Sequence, residues 1–339
     1  MPTYKDAGVD REARAAAKKL LAFDGTHSYS KYGPLVSTPF NTLYPTATAY
    51  QVKTADTVGT KAMLAQLAGK HDTIGIDAVA MVVNDCIRSG AEPIALTNTL
   101  SVRKSDAGLI GKLQKGLADG AAAARCPMVG GEIADVPELL AAAYDIGCDC
   151  VGEVQKESII YGTALQQGDA VIGLRSSGLH ANGMSLARKV LFREWGGAYE
   201  AHSTVDGMDR ELVFEALEPT AIYVQDFMKL MKEVTVLAAV NITGDAYLKF
   251  GKLMQAPGKG FAFSNFHPQS IFHVIQEAGN ITAKEMFSTF NMGWGFAVIV
   301  RQEDSDTALG LLKHAEIIGS VTGKQHIIIS HEKKDMVLV

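Results

Sequence analysis

Cysteine is scarce. Cys86, Cys126, Cys148 and Cys150 are the four in 339 residues, and their spacing is too irregular for a disulfide framework. A reducing, cytoplasmic setting is therefore expected. The C-x-C pair Cys148 and Cys150 has no second Cys/His pair at zinc spacing beside it, which leaves a structural zinc unsupported. Long apolar runs are also missing, since no window approaches the roughly 20 residues needed to cross a bilayer. The opening MPTYKDAGVD is polar, unlike a signal peptide. No membrane partner is expected. A basic excess is lacking too: the net charge is −5 and the pI about 6.0. That argues against a nucleic-acid partner but leaves small phosphorylated ligands open, because a few backbone N–H groups and one or two lysines bind them locally. There is no repeat period and no low-complexity tract.

What remains is an ordinary globular composition, 47% hydrophobic and 20% charged, at a length that fits about two domains. The polar break Gln166-Gln167-Gly168-Asp169 divides it into 1–168 and 169–339. In the first half, Asp10 caps an expected helix REARAAAKKLLAF, and residues 26–47, with Pro34, Pro39 and Pro45, read as a long irregular loop. A strand at Ala49–Thr54 leads through the TVG turn to the helix KAMLAQLA. A second helix spans Gly75–Ser89, PIALTNTLSV reads as a strand, Asp106 caps a helix to Ala124, and PMVGGE reads as another strand. Strands follow at Ala141–Ile146 and Val151–Val154. The second half runs strand AVIGL, loop RSSGLHANG, helix MSLARKVLFREW, a helix after Pro219, strand VTVLAAV, turn NITGD, then TFNMGWGFAVIV and the helix TALGLLKHA. Mixed sheets with helices on one face fit that order.

The chemistry concentrates in GIDAVAMVVNDC. Asp77 and Asn84 are seven apart and lie within about 20° on one helical face, with Asp85 about 80° from Asp77. Acids on so apolar a helix need a cation, a base or dense hydrogen bonding. A magnesium nucleotide supplies the first; lysines at a domain seam are the competing reading. Asp56 at a strand end and Glu132 after two glycines add oxygen ligands in loops. Lys61 in DTVGTK sits beside a glycine turn and suits phosphate as a point charge, although the P-loop spacing is absent. In SSGLHANG, Gly178 and Gly183 allow close backbone approach ahead of a helix N-terminus, which favours an anion; a plain connector is the alternative, and His180 alone reads as a structural histidine.

Taken in order, YKDAGVD, DTVGTK, HDTIGIDAVAMVVND, VGGE, SSGLHANG and TFNMGWG resemble the phosphoribosylformylglycinamidine cyclo-ligases, or aminoimidazole ribonucleotide synthetases, over nearly the whole chain. The resemblance implies an N-terminal α/β domain whose sheet pairs across a homodimer, a C-terminal α+β domain, and an active site between them at the dimer interface. It implies ATP and Mg2+ as cofactors and formylglycinamidine ribonucleotide as substrate. Carried over residue by residue, Asp56, Asp77, Asn84, Asp85 and Glu132 form the Mg-ATP set, with Asp56, Asp77, Asp85 and Glu132 as metal candidates. Lys61 and Lys5 become phosphate contacts, and Ser177, Gly178, His180, Asn182 and Gly183 substrate contacts. Asp56, Lys61 and Asp85 become the catalytic candidates. Three departures stand out: KYGPLVSTPF replaces a glycine-rich loop, DTVGTK replaces DGVGTK, and TGDA replaces a triple-glycine turn, placing Asp245 beside the expected site. They fit an altered branch, such as the archaeal one. A hydrogenase-maturation dehydratase of the same superfamily and a non-catalytic nucleotide sensor are the competing functions.

Overall fold

Period-two alternation dominates the first half of the chain. In Tyr144–Val154 every second side chain, Tyr144, Ile146, Cys148, Cys150 and Val154 among them, is buried, the pattern of a strand covered on one face. The computed structural model describes residues 2–21, 31–255 and 258–339. Six strands form the first sheet: β1 Val36–Ser37, β2 Thr42–Pro45, β3 Tyr50–Thr57, β4 Glu92–Val102, β5 Met128–Asp135 and β6 Tyr144–Val154. Their order is β1-β2-β3-β6-β4-β5, antiparallel except for the β4–β5 pair. The second sheet holds β7 Ala170–Arg175, β8 Ala238–Asn241, β9 Gly260–Phe263, β10 Trp294–Val300, β11 Ala315–Thr322, β12 Ile327–His331 and β13 Lys334–Val337. Here the order is β13-β12-β9-β11-β7-β10-β8, and only β12–β9 is parallel.

The helices are α1 Arg11–Leu21, α2 Lys61–Ala68, α3 Ile74–Ile87, α4 Ala107–Ala124, α5 Met184–Leu191, α6 Leu212–Ala216, α7 Val224–Leu230, α8 Ser270–Gly279, α9 Ala283–Thr289 and α10 Ser305–Leu311. Asp106 caps α4 by accepting from Leu109 N at 2.7 Å, and Asp10 accepts from Ala13 N at 3.0 Å at the start of α1. The remainder of the REARAAAKKLLAF helix, and residues 26–30 of the expected loop, lie outside the described residues. Residues 31–47 are not wholly irregular, since β1 and β2 lie within them. The two strands expected at 141–146 and 151–154 are one: Gly147 continues it because β3 passes so close that a Cβ there would meet Asp56 O at 3.0 Å. The strand expected over VTVLAAV is confined to β8, and the helix after Pro219 begins only at Val224.

That delay has a physical cause. Residues 218–223 are held by side chains of the first half, and α3 is the holder. Asp77 Oδ1 accepts from Lys61 Nζ at 2.8 Å, from Thr220 N at 2.8 Å and from the Thr220 hydroxyl. Lys61 Nζ also donates to Glu218 O at 2.6 Å. One face further along, Asn84 Nδ2 donates to Ala221 O at 2.8 Å and its Oδ1 accepts from Tyr223 N at 3.0 Å. Lys61 and Asp77 are both 0% exposed, so each charge depends on the other and on the surrounding donors and acceptors. The cysteines need no partner: all four are free and buried, packed as small apolar groups.

Because removing one member of a buried pair strands the other, Lys61→Met is expected to lower the unfolding free energy by about 3–5 kcal/mol. The urea midpoint should fall accordingly, whereas Lys115→Met, which opens the surface pair with Asp119, should leave it unchanged. Equal midpoints for Lys61→Met and wild type would contradict the clamp.

Candidate active site

A cavity of about 630 Å³ opens between the two halves. The turn after β3, residues 57–60, forms one wall, with Gly59 at φ +62°. Next to the clamp, α3 supplies Met81 and Asp85, and Arg88 follows just past its C-terminal end. Opposite lie Asn182, Gly183 and the first residues of α5, then the turn Thr243–Asp245 and two lysines, Lys249 and Lys252, on the 3₁₀ stretch Ala246–Gln255. Tyr4 and Arg14 of the N-terminal segment and Phe40 complete the lining. Gly183 has φ +73°, and a Cβ there would press into the Phe290 ring at 2.4 Å, so glycine is required where the loop turns into α5.

Asp85 is the central acid. It pairs with Arg88 at 2.8 Å, and Oδ1 accepts from Asn241 Nδ2 at 2.8 Å. Burial alone would raise its carboxyl, but Arg88, Lys249, the Asn241 hydrogen bond and Lys252 outweigh that and hold it below the usual range. Arg88 and Lys252 flank the Phe40 ring, at 5.0 and 5.4 Å from its centroid. Arg14 Nη2 lies 2.9 Å from Asp245 Oδ1, and Arg11 binds Glu285 Oε1 at 3.1 Å, which ties the N-terminal segment to the second half.

Asp56, Asp85, Asn182 and Gly183 are brought together on this cavity. Other residues singled out from the sequence are not. Lys61, Asp77 and Asn84 belong to the buried clamp, whose geometry satisfies the seam reading rather than the nucleotide one. Glu132 is three strands away on the rung Thr57, Gly147, Thr99, Glu132, about 14 Å along the sheet, and on the face opposite Asp56. A single chain therefore does not assemble the four-carboxylate metal set, and among the described residues no group of three His, Cys, Asp or Glu is placed to hold a metal. Lys5 is exposed and pairs with Asp10 at 2.7 Å; its neighbour Tyr4 reaches the cavity instead. Ser177, Gly178 and His180 fix their loop in place: the Ser177 hydroxyl donates to Pro219 O, Gly178 O accepts from Asn291 Nδ2 at 2.8 Å, and within the loop His180 Nε2 accepts from Ser177 N at 3.2 Å. Arg88, Asn241, Lys249 and Lys252 were not anticipated. The i, i+3 spacing of Asp85 to Arg88 and of Lys249 to Lys252 is a signal, but surface helices share it.

Two sequence families match the two halves: AIR synthase related protein, N-terminal domain, over residues 42–154, and its C-terminal domain over 166–332. A phosphoribosylformylglycinamidine cyclo-ligase of Pyrococcus furiosus is 38% identical over 339 residues, covering 98% of each chain. One of Bacillus pumilus is 40% identical over 311 residues, covering 89% of each. The chain belongs to the phosphoribosylformylglycinamidine cyclo-ligase family. Solved structures extend the likeness of fold beyond the cyclo-ligases. The HypE-HypF complex aligns with a TM-score of 0.65 at 18% identity, over 96% of this chain and 99% of that one. Thiamine monophosphate kinase of Aquifex aeolicus aligns with 0.62 at 17%, over 96% and 97%. At such identities these show the fold alone. No helix among the described residues is long and apolar enough to cross a membrane.

His180 gives this cyclo-ligase a pH signature. Burial, with a smaller contribution from Lys61, pushes its imidazole down to about 3. The unfolded chain takes up that proton near pH 6.5 and the folded one does not, so stability falls as pH drops from about 6.5 towards 3, by up to about 1.4 kcal/mol per pH unit. His180→Gln should flatten the acid limb of a stability-versus-pH curve by about one proton. An unaltered slope would mean that His180 is charged in the fold.

Proposed function

We propose that the chain catalyses the ATP-dependent cyclisation of formylglycinamidine ribonucleotide to aminoimidazole ribonucleotide, releasing ADP and phosphate, in de novo purine biosynthesis. The observation that carries this reading is the 38% identity to the Pyrococcus furiosus cyclo-ligase across 98% of both chains. The hydrogenase-maturation alternative rests on structural likeness at 18% identity or below among the HypE structures compared, and the sensor alternative on altered turns alone.

Amide oxygen is a poor leaving group. In the proposed reaction the formamide oxygen attacks the γ-phosphorus and ADP leaves, which converts that oxygen into a phosphate ester. The amidine nitrogen then adds to the imidate carbon, the C–O bond breaks, phosphate departs with the electron pair, and the ring nitrogen loses a proton to water. The protein's contribution is to hold the two ends of the substrate together and to screen charge. Asn182 and the N-terminus of α5 suit an anion, with Lys252 adding positive charge and Arg88 doing so from the α3 side.

Magnesium fits the cleft as an ion carried by the triphosphate. Mg2+ keeps several waters and takes only one or two carboxylates besides substrate phosphates, and Asp56 and Asp85 are the carboxylates at hand beside the 57–60 turn and α3. Bound there, it would neutralise phosphate charge. Glu132 is assigned a role across subunits: it sits with Thr99 and Lys53 among exposed residues on the face of the first sheet that α3 does not cover. That face supports a homodimer in which the two sheets meet, and the reduced cysteines support a cytoplasmic enzyme.

Purified protein with Mg2+ should hydrolyse ATP only when formylglycinamidine ribonucleotide is present, and should yield the cyclised product in equal amount. Asp85→Asn should lower kcat by about 100-fold or more. ATP hydrolysis without cyclised product would overturn the assignment. Light scattering at micromolar concentration should return twice the chain mass; a monomer would remove the role given to Glu132.

A further inference from the structure

The cleft contains a lysine that neither the clamp nor the Asp85–Arg88 pair uses. Lys249 projects from the 3₁₀ stretch after the TGDA turn and lines the cavity. Its Nζ donates to Asn241 O at 3.0 Å and to Thr243 Oγ1 at 2.7 Å. An ammonium has three N–H donors, and these are its two acceptors among the described residues. The remaining N–H belongs to a side chain on the cavity wall, held in place from behind by the end of β8 and by Thr243.

The surroundings favour an anion there. Asp85 is the acid that acts on it most strongly, yet it is already committed to Arg88 and Asn241. No ion pair joins it to Lys249 among the described residues. The lining carries four cations, Arg14, Arg88, Lys249 and Lys252, against three carboxylates, Asp56, Asp85 and Asp245, of which Asp85 is engaged by Arg88 and Asp245 by Arg14. A half-buried ammonium with a spare donor turned to a cavity is a ready partner for an anion. A phosphate group is the ligand chemistry that fits a point charge on a pre-fixed stem.

We infer that Lys249, fixed by Asn241 and Thr243, is a phosphate-contacting residue of this cleft. The inference rests on the cleft being the nucleotide and ribonucleotide site proposed above, but not on the cyclisation itself. Two phosphates are available, the triphosphate of ATP and the 5′-phosphate of the ribonucleotide, and binding measurements separate them. Thr243 thereby gains a role as the acceptor that aims the ammonium.

The electrostatics supply an independent readout. Burial pushes Lys249 down to about 8, opposed by Asp85 and Asp245 and assisted by Arg88 and Lys252. Only the charged amine attracts phosphate, so affinity should fall as pH rises through about 8.

The test is calorimetric titration of ATP and, separately, of formylglycinamidine ribonucleotide into wild type, Lys249→Met and Lys249→Arg, between pH 7.5 and 9.5. Lys249→Met should weaken one of the two ligands by about 10- to 100-fold, Lys249→Arg should recover part of it, and the fall above pH 8 should vanish in both variants. Whichever ligand responds identifies the phosphate. Unchanged affinity for both in a folded Lys249→Met, or a flat wild-type profile over that range, overturns the inference. Neither measurement requires turnover, so absence of cyclisation would count against the function and leave this result standing.

Discussion

The interaction on which the rest depends is the buried contact of Asp77 with Lys61 and Thr220. One carboxylate oxygen gathers a lysine from the first half and two donors from the second, with no exposed surface on either charge. Such a pair is a poor source of net stability compared with apolar packing, but it is intolerant of misplacement. It sets where residues 218–223 run along α3, and Asn84 repeats the arrangement about two turns on. The relative placement of the two sheets follows.

That placement makes α3 a two-sided element. One face is spent on the seam, while Asp85, about 80° round from it, and Arg88, just past the helix end, reach the cleft. The walls of the cleft come from places far apart in sequence: the turn after β3, the entrance to α5, the turn after β8 and the N-terminal segment. The clamp holds the first of these near the next two, together with the contact of Thr60 Oγ1 with Ser185 Oγ at 3.3 Å and the Asn241 to Asp85 hydrogen bond. Catalytic geometry in a cleft of this kind tolerates little displacement, which gives a physical reason for investing buried charge in a seam.

Much of the fold was legible because its signals are local. Asp106 and Asp10 cap where their side chains predict, α3 covers nearly the expected span, and Tyr144–Val154 alternates as a one-sided strand should. The seven-residue spacing of Asp77 and Asn84 correctly placed them on one face. What that face meets was not legible, because Thr220 is 143 residues from Asp77 and no local pattern marks it as a partner. That Lys61 joins the same buried contact was not legible for the same reason. Lys249 and Lys252 were overlooked because basic residues three apart on a short helix resemble a solvated face until the opposing wall is in place. Glu132 was read correctly as an acid after glycines, yet strand order carries it away from Asp56.

The buried thiols have a practical consequence. Cys86, Cys126, Cys148 and Cys150 are at most 2% exposed, and burial pushes the Cys148 thiol up to about 12. Thiolate is the reactive form, so an alkylating reagent meets neither access nor nucleophile while the first sheet is closed. Each modification event therefore records an excursion in which the packing of α3 and α4 on that sheet opens. The chain carries its own gauge of breathing motions, read by mass without any added label.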